Sequence, residues 1–279
     1  MALDKIEKLN NSIIQHGKEN NRIYLMSLDE RDMPRIVDDL NSLAEAKGYT
    51  KIFAKVPAGR LNKFLKNGYI REAAISGFYN EKKSCIFLAK YFSDARKKEK
   101  NMQEVTKIIN TSIKKSAAKR QKPISDKYSL QKATPEDVVE MSDLYNEIFE
   151  TYPFPVGNPN YLRETMKRHI NYYVIRDKRK IIALSSAEID QKSQNAEMID
   201  FATLPEYRGN NFAGCLLARM EEDVKAMGII TAYTIARAIS YAMNITFSRN
   251  NYQFSGTLIN NTNISGQIES MNVWGKKLL

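Results

Sequence analysis

The chain has 279 residues, enough for two modest domains, and 43 Lys and Arg against 32 Asp and Glu give a formal net charge of +11. Two well-separated cysteines, Cys85 and Cys215, argue against a disulfide framework and a cysteine metal site. Two histidines, His16 and His169, leave no histidine metal cluster and little material for a Ser-His-Asp triad, so no metal is expected.

The opening MALDKIEKLNNS lacks the apolar core of a signal peptide. The charge-free run 226–236 is too short to cross a bilayer. A cytoplasmic protein without a membrane partner is therefore expected. The first amphipathic helix begins at Pro34, after acidic residues. It carries Met33, Ile36, Val37, Leu40, Leu43 and Ala44 on one face and stops at Gly48 before a buried strand. Residues 96–122 hold ten Lys and Arg against two Glu, a net of +8, so most of the basicity belongs to this segment. Its apolar residues Met102, Val105, Ile108, Ile109 and Ile113 recur at helical intervals. The segment reads as a charged linker helix resting one stripe on a neighbour. Nucleic-acid binding is the weaker reading, because the charge is not spread over a face interleaved with aromatics.

Beyond the linker, residues 127–133 read as a strand. Thr134, Pro135 and Asp137 make a helix start, with Val138, Met141, Leu144, Tyr145 and Ile148 facing inward. The Pro-rich loop ETYPFPVGNP and a helix from about 160 to 169 follow. Strands NYYVIRD, KIIALSSAEID and AEMIDFATL lead to PEYRGNNFA, and then to a helix with Phe212, Leu216, Leu217, Met220, Val224 and Met227 on one face. The chain closes with a strand at Thr231, a helix around 243–249 and two strands ending near Lys276. A strand, a basic Gly-bearing turn and a helix N-terminus make a site for a pyrophosphate. The turn matches neither the triphosphate P-loop nor the dinucleotide G-x-G-x-x-G pattern.

The two sides of the linker look related. EAKGYTKIFAKV matches KAMGIITAYTIARAI, with Gly48 opposite Gly228. KFLKNGYIREAAISGF matches TFSRNNYQFSGTL, with Phe64 opposite Phe247 and Gly68-Tyr69 opposite Asn251-Tyr252. The first side lacks an Arg-x-x-Gly-x-Ala turn.

Arg208 to Ala213 resembles the [RQ]-x-x-G-x-[GA] signature of GNAT N-acetyltransferases, with Asn211 where the family usually has Gly. Asn is the next most tolerant residue of left-handed backbone. The order of elements after residue 127 is similar to that family's. The resemblance implies an α/β (α+β mixed sheet) GNAT fold: a partial GNAT-like unit over 1–95 without a cofactor loop, a basic linker over 96–127, and a catalytic domain over 128–279. The two-part layout, TYPFP and IDFATLPEYRGNNFA together resemble the β-lysine N6-acetyltransferases, which acetylate the side-chain amine of β-lysine to give a compatible solute under salt stress. The resemblance implies acetyl-CoA as co-substrate, with Phe201, Ala202, Thr203, Arg208, Gly209, Asn210, Asn211, Phe212, Ala213, Asn244 and Phe247 around it. A backbone N–H near Phe201 or Ala202 would meet the oxyanion.

Direct transfer needs a free amine, and deprotonating an alkylammonium of pKa ~10.4 at neutral pH costs roughly 4–5 kcal/mol. Glu197, on the strand before the loop, is the preferred base. Asp200 is the alternative base and a possible acceptor ligand; on an unbulged strand it would point to the opposite face. The thiolate acid is open: the family's usual Tyr position holds Phe247, leaving Tyr252 and Tyr241. Arg237 is a candidate for the acceptor carboxylate, and Tyr152 and Phe154 for the acceptor cover. The leading function is acetylation of a small amine. A protein, peptide or polyamine acetyltransferase and a catalytically silent acyl-CoA- or nucleic-acid-binding regulator stay open. Oligomeric state is not legible.

Overall fold

The computed structural model describes residues 4–116 and 123–278. The first part contains β1 (Lys5–Leu9), β2 (Ser12–Gly17), β3 (Arg22–Ser27), α1 (Ile36–Lys47), β4 (Lys51–Pro57), α2 (Leu61–Leu65), β5 (Ile70–Tyr79) and β6 (Lys83–Tyr91). Then come α3 (Asp94–Lys97) and α4 (Met102–Lys115). The second part runs β7 (Tyr128–Lys132), α5 (Val138–Ile148), α6 (Pro159–Met166), β8 (Ile170–Asp177), β9 (Lys180–Asp190), β10 (Asn195–Thr203), α7 (Phe212–Ala226), β11 (Thr231–Arg237), α8 (Tyr241–Arg249), β12 (Gln253–Ile264) and β13 (Gln267–Lys277).

All thirteen strands form one mixed sheet, in the order β1-β2-β3-β4-β6-β5-β12-β13-β11-β10-β9-β8-β7. Outward from the central β5/β12 pair the two sides repeat each other. The pairs β3/β4 and β10/β11 are parallel at equivalent places. The local details repeat too. After α1, Tyr49 N–H donates to Ala44 O at 2.9 Å, and after α7, Ile229 N–H donates to Val224 O at 3.1 Å. Phe64 and Phe247 are both fully buried, and each carbonyl accepts from the Tyr five residues on, Tyr69 and Tyr252. The likeness read from sequence is thus matched over six strands of each part, with β7 as an extra edge strand, but the two parts share a sheet.

The joint is narrow. β5 meets β12 in register at Ala73 and Gly256. A Cβ on Gly256 would stand 2.1 Å from Glu72 O, so only glycine lets the backbones approach. Around the joint, Tyr24, Phe53, Phe78, Phe87, Tyr233, Leu258, Met271 and Val273 form a core of their own. Beside it Lys51, fully buried, donates to Glu72 at 3.0 Å and to Ile259 O at 2.7 Å.

The basic segment is only partly a solvated linker. Arg96 is buried and donates to Asn260 O at 2.6 Å, Asn20 O at 2.7 Å and Thr50 Oγ1 at 3.2 Å. On α4, Val105 and Ile108 are buried while Met102 and Ile113 lie in solvent. The neighbour under the stripe is α8, where Ser248 Oγ donates to Ser112 O at 2.7 Å. The basic residues Lys119, Arg120 and Lys122 lie outside the described residues.

Candidate active site

Strand alternation builds a pocket where the two parts meet. On β3 and β4, Ile23, Leu25, Ile52, Ala54 and Val56 pack into the core shared with α1. The alternate residues Arg22, Tyr24, Met26, Phe53 and Lys55 face a cavity of about 110 Å³. Its other wall is Glu188, Glu197, Ile199, Asp200, Ile235 and Met271 from the second part. Tyr152, Pro153 and Phe154 of the Pro-rich loop cover it. Gln15 Nε2 ties that loop to the first part through Pro153 O at 3.2 Å, and Thr151 Oγ1 accepts from Gly266 N–H at 3.0 Å.

Glu188 and Glu197 stand directly opposite each other on β9 and β10. Like charges so placed repel, and the surroundings decide how each responds. Glu197 is walled in by protein yet keeps contact with the cavity. Burial, and then Glu188, raise its pKa to about 7 against the opposing pull of Lys55 and the Tyr233 hydroxyl. Burial also pushes Glu188 up, but His169 and Lys55 outweigh it and hold Glu188 below the ordinary carboxylate value. Lys55 donates to Tyr233 Oη at 3.2 Å. Burial works against its charge, yet Tyr24, Glu197 and Glu188 hold its pKa above the usual lysine range.

The expectation that Asp200 faces away from Glu197 fails, because β10 is bulged. Ile199 pairs with Ser186 and Ala202 with Leu184, leaving two residues opposite Ser185. Asp200 takes φ +58°, and both carboxylates line the same cavity. Ser186 Oγ and Tyr152 Oη donate to Asp200, the latter at 2.6 Å. Burial raises Asp200 to about 6, and these two donors oppose it.

A second cavity of about 110 Å³ adjoins the first and shares Tyr152, Ile199, Asp200, Ile235 and Met271 with it. It opens because β10 and β11 pair only over residues 195–197 and then part. Met198 to Phe201 line one side and Thr234 to Arg237 the other, with Phe247 at the end. Further along, Gly209 has φ +86° and Asn211 φ +61°. Asn211 thus takes the left-handed conformation expected of it. The first N–H groups of α7 have no intrahelical acceptors, and no side chain caps them. Nothing lies within 4 Å of where a Gly209 Cβ would stand. Open loop, uncapped helix and split strands suit a pyrophosphate at one end and a thioester at the other.

Residues 138–243 match the model of the acetyltransferase (GNAT) family. A β-lysine N6-acetyltransferase of Methanococcus maripaludis is 40% identical over 98% of this chain and 99% of its own. The chain belongs to the GNAT acetyltransferase family. An N-acetyltransferase of Bacillus subtilis, YodP, is 30% identical over 96% of each chain. A β-lysine N6-acetyltransferase of Methanosarcina mazei is 30% identical over 87% of this chain and 97% of its own. The protein is an N-acetyltransferase of a family that uses acetyl-CoA.

Within this GNAT fold several expected roles change. Asn244 is fully buried. Its Nδ2 donates to Arg237 O and Ser240 O, and its Oδ1 accepts from Asn272 Nδ2 and Trp274 Nε1, at 2.7–3.0 Å. That uses its hydrogen-bonding capacity, so Asn244 locks α8 to β13 and has none left for a cofactor. Arg237 forms a two-pronged pair with Glu269 at 2.6 and 2.8 Å; its charge is already answered. Tyr252 is buried edge-on to Phe247, faces Glu221 and lines neither cavity. Tyr241 lies beside Glu104 and Lys107 of α4. Ala202 and Phe212 are buried in the core, leaving only their backbone for a ligand, whereas Arg208 and Asn210 are exposed beside half-buried Thr203 and Ala213. The residues missed were Gln15, Arg22, Tyr24, Lys55 and Glu188. For Arg22 and Lys55 a signal was present: a charged side chain on an otherwise apolar strand, as in RIYLMS and KIFAKVP.

Proposed function

We propose that the protein transfers an acetyl group from acetyl-CoA to the side-chain amine of β-lysine, giving Nε-acetyl-β-lysine. One observation carries this reading. The acceptor pocket is built from both parts of the chain, and the likeness to the Methanococcus maripaludis enzyme spans both. In the same reading residues 1–95 form the partial GNAT-like unit, 96–127 the linker and 128–279 the catalytic domain, in a cytoplasmic enzyme supplying a compatible solute.

The backbone from Arg208 to Ala213 and the N-terminus of α7 would hold the pyrophosphate, and the slot at Phe201 and Phe247 the thioester end. Acetyl-CoA supplies an activated carbonyl to the amine. Glu197 takes the proton from the acceptor ammonium, since its pKa near 7 lets it be ionised at neutral pH while remaining basic. Lys55 limits the charge that Glu197 and Glu188 accumulate together. At the junction of the cavities the Tyr152 hydroxyl donates to Asp200, and in this reading it gives its proton to the departing CoA thiolate, the role left open between Tyr252 and Tyr241. A second reading makes Asp200 the base, because it borders both cavities.

A screen of β-lysine, α-lysine and spermidine, read as free-CoA release, tests the proposal. β-Lysine should give the highest kcat/KM, with the acetyl group on the side-chain nitrogen by mass spectrometry. Preferred turnover of spermidine or a peptide amine would overturn it.

A further inference from the structure

We infer that Arg22, contributed by β3 of the first part, binds the carboxylate of the acceptor. This rests on the reading of the cavity as the acceptor pocket. Arg22 is 4% exposed and lines that cavity. Its Nη1 donates to Asn261 O and, at 3.2 Å, to Thr262 Oγ1. Its Nε is buried with no acceptor. Its guanidinium carbon stands 5.5 Å from the centre of the Tyr24 ring and 5.6 Å from that of Phe53, so the plane is held in place. Among the described residues no carboxylate pairs with it.

The neighbouring cations differ. Lys51 has Glu72 at 3.0 Å. Lys55 has Glu197 and Glu188 facing it. Arg96 also lacks a carboxylate, but each of its guanidinium nitrogens has an acceptor and it lines neither cavity. Arg22 is the buried guanidinium left with an unmatched donor and no ion-paired carboxylate at the wall of the cavity; Asp4 and Glu72 act on its charge only from a distance. A buried charge without a partner is costly, and a fork of donors matches a carboxylate. The cavity is therefore bipolar, with Glu188 and Glu197 for amines and Arg22 for an acid group. A diamine or polyamine answers only the carboxylates. A diamino acid answers both.

The test compares β-lysine with its carboxamide, which keeps both amines and loses only the acid charge. Wild-type kcat/KM should favour the acid by about 10- to 100-fold, the value of a charge-assisted hydrogen bond. In Arg22→Gln that preference should fall towards one, mainly through KM for β-lysine, with Arg22→Lys between. The ratio is taken within each variant, so loss of folded protein cancels, and acetyl-CoA affinity by calorimetry reports the distant cofactor loop. If wild type turns over acid and amide equally, or Arg22→Gln keeps the wild-type ratio, the inference falls while the acetyltransferase reading stands. If neither compound is acetylated, it is the β-lysine reading that falls.

Discussion

Glu197 shows how a single residue is set by its surroundings. Its side chain could sit on any half-buried strand. Burial opposite Glu188 brings its pKa to about 7, and Lys55 keeps it from rising further. The acid form is then favoured in the folded state, so this group stabilises the fold below its ordinary pKa of 4.5 and loses that contribution as pH rises through about 7. With Glu197 in the proposed role of base, activity runs the other way, because the base must be ionised. We predict a kcat/KM limb rising with a midpoint near pH 7. Glu197→Gln should lower turnover on the order of 10²–10⁴-fold and flatten that limb. Near-full turnover with the limb intact would pass the role to Asp200.

At the scale of elements, two backbone irregularities make the site. The bulge in β10 turns Asp200 towards Glu197, and the left-handed pair Gly209 and Asn211 opens the loop ahead of α7. Both are places where a regular strand or helix would have closed the space. A β-branched residue is poorly tolerated at positive φ. Asn211→Val should therefore weaken acetyl-CoA binding by on the order of 1–2 kcal/mol, whereas Asn211→Gly should retain it. Calorimetry decides the point, and equal affinity in both variants would show that the turn is not what holds the cofactor. The loop was legible because its residues are contiguous. The bulge was not, because nothing in AEMIDFATL marks an unpaired residue until β9 fixes the register.

At the scale of the molecule, the first part supplies one wall of the cavity proposed to take the acceptor. It reaches that place through a sheet that runs unbroken across the β5/β12 joint. Gly256→Ala should push those backbones apart and cost on the order of 1–3 kcal/mol by overpacking. Chemical denaturation measures the loss, and β-lysine KM should rise more than acetyl-CoA affinity falls. An unchanged midpoint and KM would mean that the joint tolerates separation. No helix among the described residues is long and apolar enough to cross a membrane.

The amphipathic helices, the repeat between the two parts and the loop at Arg208–Ala213 could be read from the chain alone, because each rests on local periodicity or on adjacent residues. The sequence also placed Glu197 on the strand leading to that loop. The wall of the proposed acceptor cavity was not legible until the strands were assembled. Arg22, Lys55, Glu188 and Glu197 come from four strands, and what makes them one site is strand order and register. The same distance effect misassigned Asn244, Arg237 and Tyr252. Each has the right side chain near the right element, and each is already engaged or enclosed by residues distant in the chain.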